Sequence, residues 1–309
     1  MIVILKNNEN GFVTLAQPEQ SCWLNVVDPT PDEIDCLHQM GIPQDYLTYP
    51  LDLDERSRTE RENGETLIVL RIPYFQGEYA DVPFTTIPLG IILTPQFVVT
   101  ICKYENELIS ELASGRIRDL PTSKKNRFVL RLLLLTAAKY LSYLRKINKV
   151  VDTLEDKLQL STRNKEVLEL LKYQKSLTYF TTALKSNELM MERLQRSQLF
   201  KSFPEDDDLL EDVLTENQQA IEMTNIAANI LGQMMDAFAS IISNNLNVVM
   251  KALASITIVL SLPTMVASFY GMNVNLPLGE HNLAFLIVLA ISFAFSGTAA
   301  FVFYKRDWF

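Results

Sequence analysis

Between Arg116 and Tyr270 the chain holds a single glycine, Gly232, and three prolines, Pro121, Pro204 and Pro263. A stretch this long with so few backbone breakers is confined to long helices. Pro121 and Pro204 stand where helices begin, because a proline ring suits the first turn and polar or acidic residues follow each. The pattern predicts helices over about 122–160, 163–200 and 204–270. The last would run for roughly 100 Å at a rise of ~1.5 Å per residue. That exceeds any ordinary globular helix, so it must be a stalk, a coiled coil or a rod that enters a membrane.

Two windows carry no charge: Ala252 to Tyr270, 19 residues, and Leu283 to Tyr304, 22 residues. Each is long enough to cross a hydrocarbon core of about 30 Å. The linker between them, 271–282, contains Glu280 and His281 but no Lys or Arg. Lys251 precedes the first window, and Lys305 and Arg306 follow the second. This places both termini in the cytoplasm of a multi-pass plasma or inner-membrane protein, with the linker outside. The chain is 48% hydrophobic, too apolar for disorder and too polar for a mostly embedded protein. A soluble body with a small membrane part fits.

The first 120 residues read as a cytosolic α/β domain. Runs at 22–28, 66–75, 85–93 and 97–104 are β-branched or aromatic and bounded by Pro, Gly and Asp, as strands are. Thr30, Pro31 and Glu33 form a helix start with a capping box, and that helix should end at Gly41. Thr94-Pro95-Gln96 is a tight turn. The three cysteines, Cys22, Cys36 and Cys102, form no CxxC pair and read as reduced, buried thiols. The N-terminus lacks the basic-then-apolar pattern of a cleavable signal. The expected organisation is 1–120 α/β, 121–203 two intermediate helices, 204–270 stalk and first span, 271–282 external loop, 283–304 second span and 305–309 basic tail.

The net charge of −9 is unevenly spread. From Ser202 to Met250 there are nine acids and no Lys, Arg or His, and elsewhere 28 acids meet 28 bases. An all-acidic segment repels nucleic acid and attracts cations. Two stripes run along the helix that carries it. One repeats every seven residues through Leu214, Ile221, Ala228, Met235, Ile242, Val249 and Ile256, with Leu210, Leu231 and Phe238 at the companion position. It calls for a helical neighbour, in the subunit or in an oligomer. The other is polar and does not stop at the membrane. It passes through Asn225, Asn229, Gln233, Asp236, Ser240, Ser243, Asn247, Met250, Ala254, Thr257, Ser261, Thr264 and Ser268, and Gly271 follows three residues on. Small polar residues in a span also mark close helix packing. Continuity from stalk into membrane favours a water-lined path without fixed charge. One helix per chain encloses nothing, so such a path requires a closed ring of subunits.

"YGMNV" at 270–274, between two C-terminal spans with the basic end "YKRDWF", resembles the CorA magnesium channel family. So does the whole order of elements: an α/β domain, two intermediate helices, one very long helix and a short second span. The resemblance implies a funnel-shaped homopentamer in the bilayer whose long helices line one pore. It implies that Gly271, Met272 and Asn273 form an external ring selecting hydrated Mg²⁺. Counting inward from this turn, Asn247 matches the family's pore asparagine near the cytoplasmic mouth, Leu253 its hydrophobic constriction and Thr264 a pore threonine. Met250 matches another lining position. Ser261 departs from a bulky Met common in the family, and Pro263 lies one residue from the usual proline. Asp236 matches an acidic pore-facing ring. Asp212 matches a regulatory Mg²⁺ site between subunits, with Glu78 or Asp81 as candidate partners, so cytosolic Mg²⁺ would close the channel.

Mg²⁺ releases its waters reluctantly, so a filter of five Asn273 carbonyls would accept hydrogen bonds from metal-bound water rather than ligate the ion. Co²⁺ or Ni²⁺ of similar hydrated size would use the same ring. A Zn²⁺ transporter of the same family is the nearest alternative, although the chain has only His38 and His281 and no cysteine cluster. A membrane-tethered signalling or scaffold protein is the second. No nucleophile, base and orienting group assemble into an enzyme site.

Overall fold

The structure is a computed structural model that describes residues 1–8, 11–114, 122–160, 164–197, 204–273 and 283–308. It divides into two compact units, Met1–Gln233 and Met234–Phe309.

In the first unit, β1 (Ile2–Asn8), β2 (Gly11–Leu15), β3 (Trp23–Val27), β4 (Arg58–Glu62), β5 (Glu65–Phe75), β6 (Phe84–Leu93) and β7 (Val98–Cys102) form one sheet. Their order is β2-β1-β3-β7-β6-β5-β4. β3 and β7 are parallel, and every other neighbouring pair is antiparallel. The central strands are buried on both faces. Ile68, Leu70 and Ile72 of β5 face one core, while Leu67 and Val69 face the other. A strand covered on both sides needs no polar alternation, which is why β5, β6 and β7 are continuous apolar runs.

Helices cover both faces. α1 (Pro31–Gln39) and α2 (Gln44–Thr48) close one core around Leu37, Ile42, Tyr46 and Leu47. α1 begins with the expected capping box: Thr30 Oγ1 accepts from the Glu33 amide, and Glu33 Oε2 accepts from the Thr30 amide. On the other face α3 (Glu107–Ala113), α4 (Lys125–Leu160), α5 (Asn164–Arg196) and the start of α6 (Pro204–Tyr270) enclose Trp23, Phe128, Leu132, Met190 and Val213.

Several details differ from the sequence reading. β1, β2, β4, α2 and α3 lie outside the elements expected from the sequence, and the run at 97–104 is a strand only over Val98–Cys102. Cys22 and Cys102 are buried free thiols, but Cys36 is exposed on α1. Burial pushes the Cys102 thiol up to about 12, far from a reactive thiolate. Within this unit the buried seam of α6 is centred on Leu210, Asn217, Thr224 and Leu231, the companion position of the seven-residue repeat, and Ile221 of the repeat itself is buried beside it. Asn217 and Thr224 hide this seam from a hydrophobic count. Asn217 Nδ2 donates to the Leu184 carbonyl of α5 at 3.3 Å, and Thr224 Oγ1 to the Ala220 carbonyl at 2.7 Å. Both polar groups are thereby satisfied inside a packed interface.

The second unit holds the rest of α6 and α7 (Ala284–Lys305). Both helices are long and apolar enough to cross a membrane, and only 6% and 11% of their most apolar windows are buried. A core helix of a soluble protein would be mostly covered.

Candidate functional site

Along the spanning part of α6, the polar stripe and the face packed on α7 lie on opposite sides. Ala252, Ser255, Val259, Leu262, Val266 and Tyr270 are partly or fully covered. Their three- and four-residue spacing marks one helix face. Ser296 of α7 donates from Oγ to the Val259 carbonyl at 3.2 Å, tying the two helices together. The small side chain of Ser255, fully buried, permits this approach. Asn247, Met250, Leu253, Ala254, Thr257, Ser261, Thr264 and Ser268 are all exposed. Among the described residues of the chain nothing covers them.

The stripe hydroxyls have a defined polarity. Thr257 Oγ1 donates to the Leu253 carbonyl at 2.8 Å, Ser261 Oγ to that of Ile258 at 2.9 Å and Thr264 Oγ1 to that of Leu260 at 3.3 Å. With each hydrogen committed to the backbone, the outward oxygens offer lone pairs. Water bound to a cation is a strong donor, so this face suits a hydrated cation and carries no fixed charge that would trap it.

α6 ends at the turn that follows. The Gly271 amide donates to the carbonyls of Ala267 at 3.0 Å and Ser268 at 3.3 Å, and the Met272 amide to that of Phe269 at 3.2 Å. Gly271 does not have a positive φ. A Cβ there would sit 3.4 Å from the Ala267 carbonyl oxygen, an ordinary contact. Within one chain, then, neither strain nor crowding requires glycine at 271. Gly271, Met272 and Asn273 are exposed, and no hydrogen bond to the Asn273 side chain is found among the described residues. The remainder of the predicted external loop, 274–282, lies outside the described residues.

The acidic candidates are dispersed. Asp212 and Asp236 are exposed on α6, and Glu78 and Asp81 are exposed in the β5–β6 connection. Glu78 borders a groove with Lys157, Glu169, Lys172 and Tyr173. Among the described residues no group of three His, Cys, Asp or Glu converges as a metal site. One acid with a structural role is Asp206. It is buried at the foot of α6, where Arg127 Nε of α4 reaches its Oδ1 at 3.0 Å. Nothing in the local sequence distinguishes it from its two exposed neighbours.

The comparisons with known proteins follow the same lines. The family of CorA-like Mg²⁺ transporter proteins matches residues 18–306. The magnesium transport protein CorA of Helicobacter pylori is 22% identical over 98% of this chain and 94% of its own length. The complete CorA magnesium transporter of Methanocaldococcus jannaschii superposes with a TM-score of 0.85 at 24% identity, covering 100% of this chain and 99% of that one. The full-length CmaX protein does so with a TM-score of 0.71 at 17% identity, over 100% of this chain and 97% of its own. With the family's signature running through nearly every element, from the sheet to the second span, this chain belongs to the CorA-like Mg²⁺ transporters, membrane proteins that move divalent cations.

Proposed function

We propose that the chain is one subunit of a homopentameric Mg²⁺ channel that admits the hydrated ion. The observation that carries this reading is the polar face of α6, left bare on the side opposite α7 and ending at the exposed Asn273. Five such faces around an axis enclose a path, and the outward lone pairs of Asn247, Thr257, Ser261, Thr264 and Ser268 accept hydrogen bonds from metal-bound water. At its outer end the Gly271-Met272-Asn273 ring selects by the size of the hydrated ion, because Mg²⁺ dehydrates reluctantly. Binding through water is strong enough to select and weak enough to release. Gly271 is needed where five turns meet, which accounts for a glycine that the single chain does not require. Met250 and Leu253 form the apolar constriction near the cytoplasmic mouth, closing by dewetting. Lys251, Lys305 and Arg306 hold both termini in the cytoplasm.

Regulation follows from the acids. Asp212 and Asp236, with Glu78 or Asp81 of a neighbouring subunit, repel one another across subunit boundaries. Cytosolic Mg²⁺ screens that repulsion and stabilises the closed state by binding it preferentially.

The test is ion uptake by proteoliposomes holding the full-length protein, with Mg²⁺, Co²⁺, Ni²⁺ and Zn²⁺ offered separately. Wild type should take up Mg²⁺, Asn273→Ala should lose most of that flux, and Asp212→Ala should keep it while losing inhibition by internal Mg²⁺. Zn²⁺ uptake without Mg²⁺ uptake, or Mg²⁺ flux unaffected by Asn273→Ala, would overturn the reading.

A further inference from the structure

On the first unit two clefts open onto the same side chains. The larger, about 730 Å³, is lined by the cations Arg56, Arg71, Lys185 and Arg193 with one acid, Asp54. The smaller, about 430 Å³, is lined by Tyr74, Tyr104 and Tyr179. Asp54, Arg71, Thr86 and Tyr179 belong to both. Each lies within the roughly 300–1,000 Å³ typical of small-molecule sites.

Arg71 sits where the clefts join, and its orientation is set. Its Nη1 donates to the Leu53 and Glu55 carbonyls at 3.0 and 2.8 Å, its Nη2 to the Thr86 carbonyl at 2.8 Å and its Nε to Thr86 Oγ1 at 3.1 Å. These are neutral acceptors. Asp54 and Glu55 are near enough to be felt, but burial still pulls the guanidinium below its ordinary pKa. The charge is therefore desolvated without a bonded counter-ion, a costly state. One Nη2 hydrogen is left over, since a guanidinium has five. The neighbouring arginines are used differently: Arg58 pairs with Glu55 and Glu60, and Arg196 with Glu192. Arg56, Lys185 and Arg193 are exposed and make no ion pair among the described residues. Four cations against a single lining carboxylate give this cleft a net positive charge on a chain of net charge −9.

The second cleft supplies a different chemistry. Tyr74 and Tyr104 stack at 5.7 Å with their planes 23° apart. Tyr104 and Tyr179 nevertheless remain 40% and 49% exposed, so open aromatic surface lies beside a cationic one. Guanidinium groups match phosphate oxygens bidentately, and aromatic faces stack on bases.

We propose that this double cleft binds a nucleoside polyphosphate, its phosphates on Arg71, Arg56, Lys185 and Arg193 and its base against Tyr179 and Tyr104. The site is independent of which ion crosses the membrane.

Calorimetric titration of the full-length protein in detergent, without Mg²⁺, tests it with ATP, inorganic triphosphate and adenosine. ATP should bind, triphosphate more weakly, and adenosine not measurably. The exposed pair Lys185→Gln with Arg193→Gln should lower ATP affinity about tenfold or more, as expected when charge-assisted hydrogen bonds are lost. Tyr179→Ala should weaken ATP and leave triphosphate unchanged. No heat with ATP, or ATP binding undiminished in the double variant, would overturn the site. Triphosphate binding as tightly as ATP would overturn its assignment to a nucleotide.

Discussion

Arg127 and Asp206 join α4 to the first turns of α6 through a pair whose side chains are 19% and 3% exposed. A buried ion pair adds little over a well-packed apolar pair, but removing one partner strands the other charge. Arg127→Met, which leaves the buried Asp206 carboxylate without this cation, should therefore destabilise the protein by about 3 kcal/mol, whereas the exposed Asp207→Asn should be near neutral. Denaturation of both variants in detergent checks this, and equal midpoints would show the pair to be solvated. The same contrast bears on the candidate site. Asp206, Asp207 and Asp208 are identical in a sequence, and only burial makes one of them structural. Asn273 is the reverse case: its chemistry, an uncharged amide between two spans, is visible in the sequence before any coordinate is known.

Elements differ in how openly they declare themselves. β5, β6 and β7 were legible because a doubly covered strand is apolar throughout. β4, Arg58-Thr59-Glu60-Arg61-Glu62, was not, because it is an edge strand and charge protects an edge from pairing with other chains. The Asn63-Gly64 turn that joins it to β5, with both residues at positive φ, was the signal that would have found it. α3 meets α4 through Glu107, whose Oε2 lies 2.8 Å from Lys139 Nζ and accepts from the Tyr143 hydroxyl at 3.0 Å. The Lys139 contact is the main cause holding the Glu107 carboxyl below its ordinary value of 4.5. A carboxylate whose pKa is lowered on folding contributes stability that is present above its unfolded value and lost as pH falls through the folded one. Wild type should thus lose thermal stability more steeply than Glu107→Gln below about pH 4.5. Parallel curves for the two, followed by circular dichroism, would contradict this.

At the scale of the molecule, the bare stripe of α6 separates a pore from an anchor. A chain that only tethers a cytosolic body needs apolar spans and nothing more. Replacing Thr257, Ser261 and Thr264 by Leu should abolish ion flux while leaving a detergent-extracted assembly near five times the 35.2 kDa chain, read by light scattering. Unchanged flux would favour the tether. A monomeric mass for wild type would remove the ring on which the path depends.

The long helices, the two spans and the polar stripe can be read along the chain, because each follows from residue period, charge and the absence of breakers over one continuous stretch. The capping box of α1 and the apolar central strands were local in the same way. Long-range packing sets the rest: α7 covers the face opposite the stripe, and Asn217 and Thr224 sit in a packed seam. The same packing half-buries Arg71 without a bonded carboxylate and buries Asp206 against Arg127. These depend on which surfaces meet, and the contacts join residues tens of positions apart whose local patterns carry no mark of it.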